Sequence, residues 1–308
     1  MKLAKTEAQN PHTRRLDTKS TVEILRLLNR EDAHVAGTVR RELPKIARAV
    51  DAIVKGICSG GKLVYVGAGT SGRLAVLDAA ECPPTFGTAP RTVQVIVAGG
   101  ERALRHAIEG AEDSVGSGAR DLAATGVKGG DVVVGISASG ETPYVLGAIG
   151  LAKRRGAVTV GVTSNPHSAL ARRASVAITL DTGPEAIAGS TRMKAGTAQK
   201  MVLNLLSTTS MVRLGRVYDN WMIYVALTNQ KLRRRGERIL GECTGASPSA
   251  ARHALQQSGH NLPVALIMLL TSARARDAAR SLTQSGGNVS QALKAAKMQL
   301  ATTSRRRK

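Results

Sequence analysis

Two short turns rich in glycine and hydroxyl side chains have the composition of an anion-binding site. The first is Gly67-Ala68-Gly69-Thr70-Ser71-Gly72 and the second is Ser137-Ala138-Ser139-Gly140-Glu141-Thr142. Glycine lets backbone amides approach an anion, hydroxyl groups can donate to it, and a helix that starts there adds partial positive charge. Because Ser and Thr also favour plain helix caps, one such turn is a weak signal. Two of them together favour a phosphate ligand.

The first turn also fits the G-x-G-x-x-G pattern of dinucleotide sites. Such sites place an acidic residue after the second strand, where it binds a ribose. Here Ala98-Gly99-Gly100 stands at that point, and Glu101 follows directly. The pattern therefore argues against NAD without excluding it.

Glu81 is a candidate general acid because of its expected place at the end of a helix. Residues 74–80 have a helical pattern, and Pro83 and Pro84 should stop that helix because proline cannot continue the hydrogen-bond ladder. A carboxyl group at a helix C-terminus is poorly stabilised as an anion and keeps a proton more readily. A solvated surface glutamate is the alternative reading.

Glu112, expected at the end of a helix over 101–112, is a second candidate, and on its own a weaker one. A straight helix from Ser71 to Glu81 would span about 15 Å, which is longer than a phosphosugar. Either that helix is broken, or Glu81 meets phosphate bound at another loop or on another subunit.

Five short apolar runs that alternate with helical patterns must position these residues. The runs are Leu63–Val66, Val93–Val97, Val132–Ile136, Thr159–Val162 and Val176–Leu180. Strands that alternate with helices indicate a parallel sheet, whose ligands bind at the carboxyl ends of the strands. We therefore expect an α/β fold in three layers, of the flavodoxin or Rossmann type, with both turns on one edge.

The remaining segments predict helices on either side of this sheet domain. Residues 1–58 should form an N-terminal helical segment with a capping box at Ser20 and Glu23, and 59–240 the sheet domain, whose last helix covers 221–240. Residues 241–308 should form a small helical domain. It contains a faint repeat, in which the pattern from Leu255 returns 27 residues later, at Leu282.

Composition limits the classes of function. The net charge is +22, and residues 231–308 hold fifteen Lys or Arg against three acidic residues, yet aromatic residues make up only 2% of the chain. Because stacking residues and groove-reading motifs are lacking, we expect no nucleic-acid partner. The three cysteines and six histidines show no metal-ligand spacing. No apolar run could span a bilayer and no secretory leader is visible, so we expect a cytoplasmic protein with no membrane partner.

Taken together, the motifs resemble the sugar isomerase (SIS) domain family of phosphosugar-binding proteins. Within it the chain is most similar to the bacterial N-acetylmuramic acid 6-phosphate etherase family. The resemblance covers nearly the whole chain and is carried by several long motifs in the same order: Gly67–Arg73, Glu81–Pro84, Glu109–Ser114, Ser137–Tyr144 and Ser190–Lys200.

The resemblance implies an enzyme that removes D-lactate from N-acetylmuramic acid 6-phosphate, leaving N-acetylglucosamine 6-phosphate, without cofactor or metal. It implies that Glu81 is the acid that protonates the leaving lactate and that Glu112 is the second catalytic group, assigned as the base at C2. The phosphate and sugar ligands would be Thr70, Ser71, Ser137, Ser139 and Thr142. A homodimer is also implied.

Some assignments stay open at this point. Arg192 and Lys194 could meet the phosphate or the lactyl carboxylate, or could belong to a packing surface. Glu141 departs from the family pattern and would repel an anion if it faced one. A non-catalytic phosphosugar sensor and a phosphosugar isomerase are the alternative functions. The pair of carboxylates argues against the sensor, and the Glu-Cys-Pro-Pro segment argues against the isomerase.

Overall fold

The structure is a computed structural model that describes residues 5–305, with side chains described through Met298. The strands are β1 (Leu63–Gly67), β2 (Val93–Val97), β3 (Val132–Ile136), β4 (Val158–Thr163) and β5 (Val176–Thr179). The helices are α1 (Thr21–Asp32), α2 (Val35–Arg41), α3 (Leu43–Cys58), α4 (Gly69–Phe86), α5 (Val115–Ala124), α6 (Pro143–Arg154), α7 (Ala169–Arg173), α8 (Lys194–Arg213), α9 (Gln230–Thr244), α10 (Pro248–Gln257), α11 (Leu262–Thr271), α12 (Ala275–Gln284) and α13 (Val289–Arg305). None of the helices in the described residues is long and apolar enough to cross a membrane.

The five strands form one parallel sheet in the order β2-β1-β3-β4-β5. Strands β1 and β3 are buried along their whole length, and β4 is buried except at its first residue, Val158. This burial is expected when helices cover both faces of the sheet. The chain leaves β1 toward β2 and leaves β3 toward β4, so the strand order reverses between β1 and β3. The predicted five-stranded α/β fold is therefore confirmed.

Alternate side chains of β1 point to helices on opposite faces of the sheet. Val64 and Val66 pack in a core with residues of α5 and α6. Tyr65 faces the other way, and its hydroxyl donates to Asp78 on α4 at 3.0 Å. Ser207 on α8 donates to the same carboxylate, also at 3.0 Å. The sheet is thus the middle of three layers, as predicted.

The chain divides into two compact units. Unit 1 comprises residues 5–80 and 90–210 of the described chain and contains the whole sheet. Unit 2 comprises 81–89 and 211–305, and helices α9 to α13 form its core around Leu240, Leu255, Leu266 and Leu282. Within unit 2, the predicted repeat is confirmed as two helical hairpins, α10–α11 and α12–α13.

The expected stop at Pro83 and Pro84 is wrong, because α4 runs unbroken to Phe86. Each proline removes one backbone donor from the helix. The loss is tolerated because Cys82 and Phe86, one turn apart on the same face, are almost fully buried. Gly87 follows with a φ of +61°, which ends the helix.

The expected helix over 101–112 is also wrong. Only Glu101–Leu104 is helical, as one 3-10 turn, and the chain then continues through turns. The reason lies in Arg73, whose guanidinium donates to the carbonyl groups of Ala103, Leu104 and His106 at 3.0 to 3.2 Å. These carbonyls are therefore occupied by a side chain instead of by the amides of a growing helix.

The last helix of the sheet domain does not begin at Trp221 as expected. Residues 214–229 are irregular apart from one bridge between Tyr218 and Trp221. Helix α9 begins after Asn229, whose side chain accepts from the amide of Leu232 at 2.9 Å. A capping asparagine thus sets this start. At the N-terminus, the predicted capping box at Ser20 and Glu23 is confirmed.

Candidate functional site

Helix α4 starts directly after β1 because two glycines allow a very close approach. A Cβ placed on Gly67 would lie 2.7 Å from the nitrogen of Gly72, and one on Gly72 would lie 2.6 Å from Cγ1 of Val97. Larger residues would push the helix away from the strand. Thr70 and Ser71 therefore lie in the first turn of an 18-residue helix, whose first amides have no partner within the helix.

The loop after β3 gathers its three predicted hydroxyl residues into one cluster. The Ser137 hydroxyl lies 2.8 Å from that of Thr142 and 3.3 Å from that of Ser139. The amide of Gly140 donates to the Ser137 oxygen at 3.0 Å. Gly140 has a φ of +69°, and a Cβ there would lie 2.2 Å from Oγ of Ser168. Glycine is thus required both for the conformation and for the packing of this loop.

The two loops flank the crevice where the strand order reverses. Because β1 and β3 are neighbours, both loops emerge at the carboxyl edge of adjacent strands, and their helices cover opposite faces. In open α/β sheets this crevice is the usual ligand site. The structure thus places Thr70, Ser71, Ser137, Ser139 and Thr142 in the loops on the two sides of this crevice.

Glu112 lies beside the β3 loop. Its carbonyl oxygen accepts from the amide of Tyr144 at 3.0 Å, two residues after Thr142. Ala111 packs against the core next to the sheet, and the side chain of Glu112 is exposed. A turn held at both its beginning, by Arg73, and its end, by Tyr144, therefore presents this carboxylate.

Glu81 occupies a different part of the structure. It lies on α4, ten residues after Ser71, so about 15 Å of continuous helix separates the two. Glu81 is exposed and belongs to the segment 81–89 of unit 2, whereas Glu112 and both loops belong to unit 1. The structure brings Glu112 together with the β3 loop.

Lys194 and Arg192 have contrasting surroundings. The Nζ atom of Lys194 lies 2.5 Å from Oε2 of Glu31, and both side chains are only 5% exposed. The ammonium group of Lys194 is thus already paired. Arg192 is exposed in the segment before α8. Glu141 accepts from the amide of Ala169 at 2.8 Å, so one of its carboxylate oxygens caps α7.

A buried polar network around Glu31 was not found from the sequence. Asn10 donates to Glu31 at 2.7 Å, and the ring of His12 lies 3.1 Å from its other oxygen. Burial raises the pKa of Glu31, but the hydrogen bonds from Lys194, Asn10 and His12 outweigh burial and lower that pKa to about 2. Glu31 is therefore a carboxylate that anchors the start of α8, and nothing in its local sequence signals this.

A second buried carboxylate, Glu185, caps the same helix. Its two oxygens accept from the amides of Lys194 and Ala195 at 2.9 Å. Burial raises the pKa of Glu185, against the opposing effect of these two hydrogen bonds. Within the described residues, no three His, Cys, Asp or Glu side chains come together as a metal site would require.

Comparison with known proteins identifies the family. Residues 45–153 match the model of the glucokinase regulatory protein N-terminal SIS domain, and 114–209 match that of the SIS domain. An N-acetylmuramic acid 6-phosphate etherase from Glaesserella parasuis serovar 5 is 49% identical over 285 residues, covering 92% of this chain and 94% of the relative. The chain belongs to the N-acetylmuramic acid 6-phosphate etherase family. Another member of this etherase family, from Symbiobacterium thermophilum, is 53% identical over 265 residues, covering 86% and 88%.

Solved structures share the fold of this chain at much lower identity. A putative phosphosugar isomerase from Bacteroides fragilis is 21% identical with a TM-score of 0.52, over 69% of this chain and 99% of that one. A phosphoheptose isomerase from Francisella tularensis is 19% identical with a TM-score of 0.51, over 63% and 100%. These likenesses establish the SIS fold and no more.

Proposed function

We propose that this chain is a carbon–oxygen lyase that cleaves the D-lactyl ether of N-acetylmuramic acid 6-phosphate. The products are N-acetylglucosamine 6-phosphate and D-lactate, a reaction of peptidoglycan recycling. Membership of the etherase family supports the activity. The hydrogen bond from the Tyr144 amide to the Glu112 carbonyl is the structural observation that supports the proposed site most directly. It fixes a carboxylate residue beside the β3 loop.

The chemistry explains why two carboxyl groups suffice. An alkoxide is a poor leaving group, so direct displacement of the ether by water is slow. In the ring-opened sugar the C2 proton is adjacent to the C1 aldehyde and is acidic enough for a general base. Removal of this proton and cleavage of the C3–O bond release lactate, whose oxygen takes a proton from a general acid. Water then adds at C3 of the unsaturated aldehyde and a proton returns to C2, so the net change is addition of one water.

The proposed roles follow from this scheme. Glu112 removes the C2 proton, and Glu81 protonates the departing lactate oxygen and then activates water. Thr70 and Ser71, together with the β3-loop hydroxyls of Ser137, Ser139 and Thr142, hold the phosphate and sugar. Hydroxyl donors and helix-terminal amides suit a phosphate dianion, which can only accept hydrogen bonds.

The test separates the two carboxyl groups by their partial reactions. In deuterated buffer, Glu81→Gln should lose lactate release by about 10²- to 10⁴-fold yet still exchange the C2 proton. Glu112→Gln should lose both, while each variant still binds N-acetylglucosamine 6-phosphate. Glu109→Gln, an exposed acid three residues away, is the matched control and should keep full activity.

The C2 exchange and lactate release of the two variants distinguish the possible roles of Glu81 and Glu112. Exchange lost in Glu81→Gln but kept in Glu112→Gln would reverse the roles. Full lactate release by both variants would remove both residues from the reaction. Phosphosugar binding with no lactate release by the unsubstituted chain would refute the etherase activity and favour a sensor.

We also propose that the enzyme acts as a homodimer in the cytoplasm. Helix α1 supports the dimer because it exposes Val22 and Leu25 by 51% and 59%. The charge of the phosphorylated substrate, which keeps it from crossing a membrane, supports the location. Light scattering should give twice the 32.2 kDa mass of one chain. A mass of one chain at micromolar concentration would contradict the dimer.

A further inference from the structure

Ser71, a proposed phosphate ligand, has a buried partner on another helix. Its hydroxyl donates to Oε1 of Gln199 on α8 at 2.9 Å. Gln199 is only 1% exposed, and its Nε2 atom is buried without a hydrogen-bond partner. A buried amide N–H without a hydrogen-bond partner is energetically unfavourable. Such a group is expected to find a partner in another state of the site.

The start of α8 lies against the first turn of α4, so this contact is part of the proposed site. A Cβ placed on Gly196, one turn before Gln199, would lie 3.5 Å from Cγ2 of Thr70. Helix α8 is fixed there by the Glu31–Lys194 pair and by Glu185. Gln199 can therefore rotate its terminal amide but cannot move away from Ser71.

The direction of the Ser71–Gln199 hydrogen bond conflicts with phosphate binding. A hydroxyl has one proton, and here that proton goes to the Gln199 carbonyl. The Ser71 oxygen then presents only lone pairs to its other neighbours. A phosphate dianion also presents only lone pairs, so Ser71 must turn its proton outward before it can bind one.

We propose that Gln199 is a positioning residue that controls where the Ser71 hydroxyl points. When phosphate binds, the Gln199 amide turns over, its N–H₂ group donates to the Ser71 oxygen, and the Ser71 O–H donates to a phosphate oxygen. The turnover gives the buried N–H₂ group a partner and moves the unpaired position to a carbonyl, for which burial without a partner is more easily tolerated. This inference rests on the proposed phosphate site at Ser71.

Gln199→Glu tests the proposal because it keeps the shape of the side chain and removes its hydrogen-bond donor. An ionised carboxylate can accept from Ser71 but cannot donate to it, so the Ser71 proton stays turned away from the phosphate. We expect affinity for N-acetylglucosamine 6-phosphate, measured by calorimetry at pH 8, to fall by about 100-fold. Lower pH should restore much of it, since a protonated carboxyl group can donate as the amide does.

The Ser71→Ala background separates the hydroxyl from simple charge repulsion. In that background the same Gln199→Glu change should weaken binding at least tenfold less, because no hydroxyl remains to be misdirected. Equal penalties in both backgrounds would overturn the inference and leave the phosphate site standing. Should Ser71→Ala alone leave the affinity unchanged, the proposed phosphate site itself, and the inference with it, would be wrong.

Ser207→Ala is the matched structural control. Ser207 also lies on α8 and also bonds a residue of α4, Asp78, but further along both helices. We expect this variant to lower the unfolding temperature without changing phosphosugar affinity. If Ser207→Ala weakened binding as Gln199→Glu does, general loosening of the α4–α8 contact would explain both effects. The proposed role of Gln199 in positioning the Ser71 hydroxyl would then be refuted.

Discussion

Removal of the charge of Glu31 tests whether the buried ion pair holds α8 in place. In Glu31→Gln the Lys194 ammonium stays buried without its counter-charge, although the shape of the side chain is kept. Both partners are 5% exposed and 2.5 Å apart. Loss of one member of such a pair destabilises a protein by about 3–5 kcal/mol.

The pKa of Glu31 gives a second value for this contribution to stability, and it gives the direction in which stability changes with pH. It lies at about 2 instead of its ordinary value of 4.5. At about 1.36 kcal/mol per pKa unit, the ionised form contributes about 3 kcal/mol to stability. This value agrees with the loss expected when one member of a buried ion pair is removed. Because the folded pKa is the lower one, this contribution is present above pH 5 and is lost as the pH falls toward 2. Linkage removes about 1 kcal/mol by pH 4 and about 2 kcal/mol by pH 3.

Hydrogen exchange of amides in α8, followed by mass spectrometry, reports the local opening free energy, and urea unfolding followed by circular dichroism reports the global one. Glu31→Gln should speed exchange in α8 by about 100-fold at pH 7 and should flatten its acid dependence. Asp32→Asn, an exposed neighbour on the same helix, is the control. Glu31→Gln combined with Lys194→Met should recover most of the loss, since replacing both partners avoids the unpaired charge. If the losses in unfolding free energy of Glu31→Gln and Asp32→Asn differed by less than about 1 kcal/mol, the conclusion that the buried ion pair holds α8 in place would be refuted.

Two further substitutions probe the loops. Arg73→Lys removes the planar fork that binds three carbonyls of the turn leading to Glu112. Steady-state kinetics should show kcat reduced about tenfold with product affinity unchanged, and a rise in KM alone would contradict this role. Gly140→Ala places a Cβ 2.2 Å from Ser168 Oγ at a φ of +69°. It should destabilise the protein by about 1–3 kcal/mol in urea unfolding and weaken phosphosugar binding more than tenfold, and an unchanged affinity would show that the loop tolerates the shift.

The sheet and the two loops at its carboxyl edge could be predicted because their determinants are local. Each strand is a short apolar run, and each of the two loops has its glycines and hydroxyls within six residues. The topological reversal between β1 and β3 then brings the loops together. Glu112 reaches the β3 loop through a bond to Tyr144, so its place depends on a contact between separate segments.

The features missed by sequence reasoning depend on distant partners. Glu31 and Lys194 are 163 residues apart, and neither helix shows why its charged residue should be buried. Helix α4 continues through Pro83 and Pro84 because burial of Cys82 and Phe86 outweighs two lost donors. The helix expected over 101–112 is replaced by turns because Arg73 takes its carbonyls. In each case a tertiary contact overrides the local preference.

Unit 2 is discontinuous along the chain, and this has a consequence for synthesis. Residues 81–89 leave the ribosome about 120 residues before 211 does, a delay on the order of 6 to 24 s at usual elongation rates. Gly87, which packs against Tyr224, must wait for the whole intervening stretch of unit 1. Until then the segment 81–89 is without the C-terminal part of its unit. We expect nascent chains stalled between residues 100 and 210 to bind general chaperones through this segment, and the binding to end once the C-terminal helices emerge.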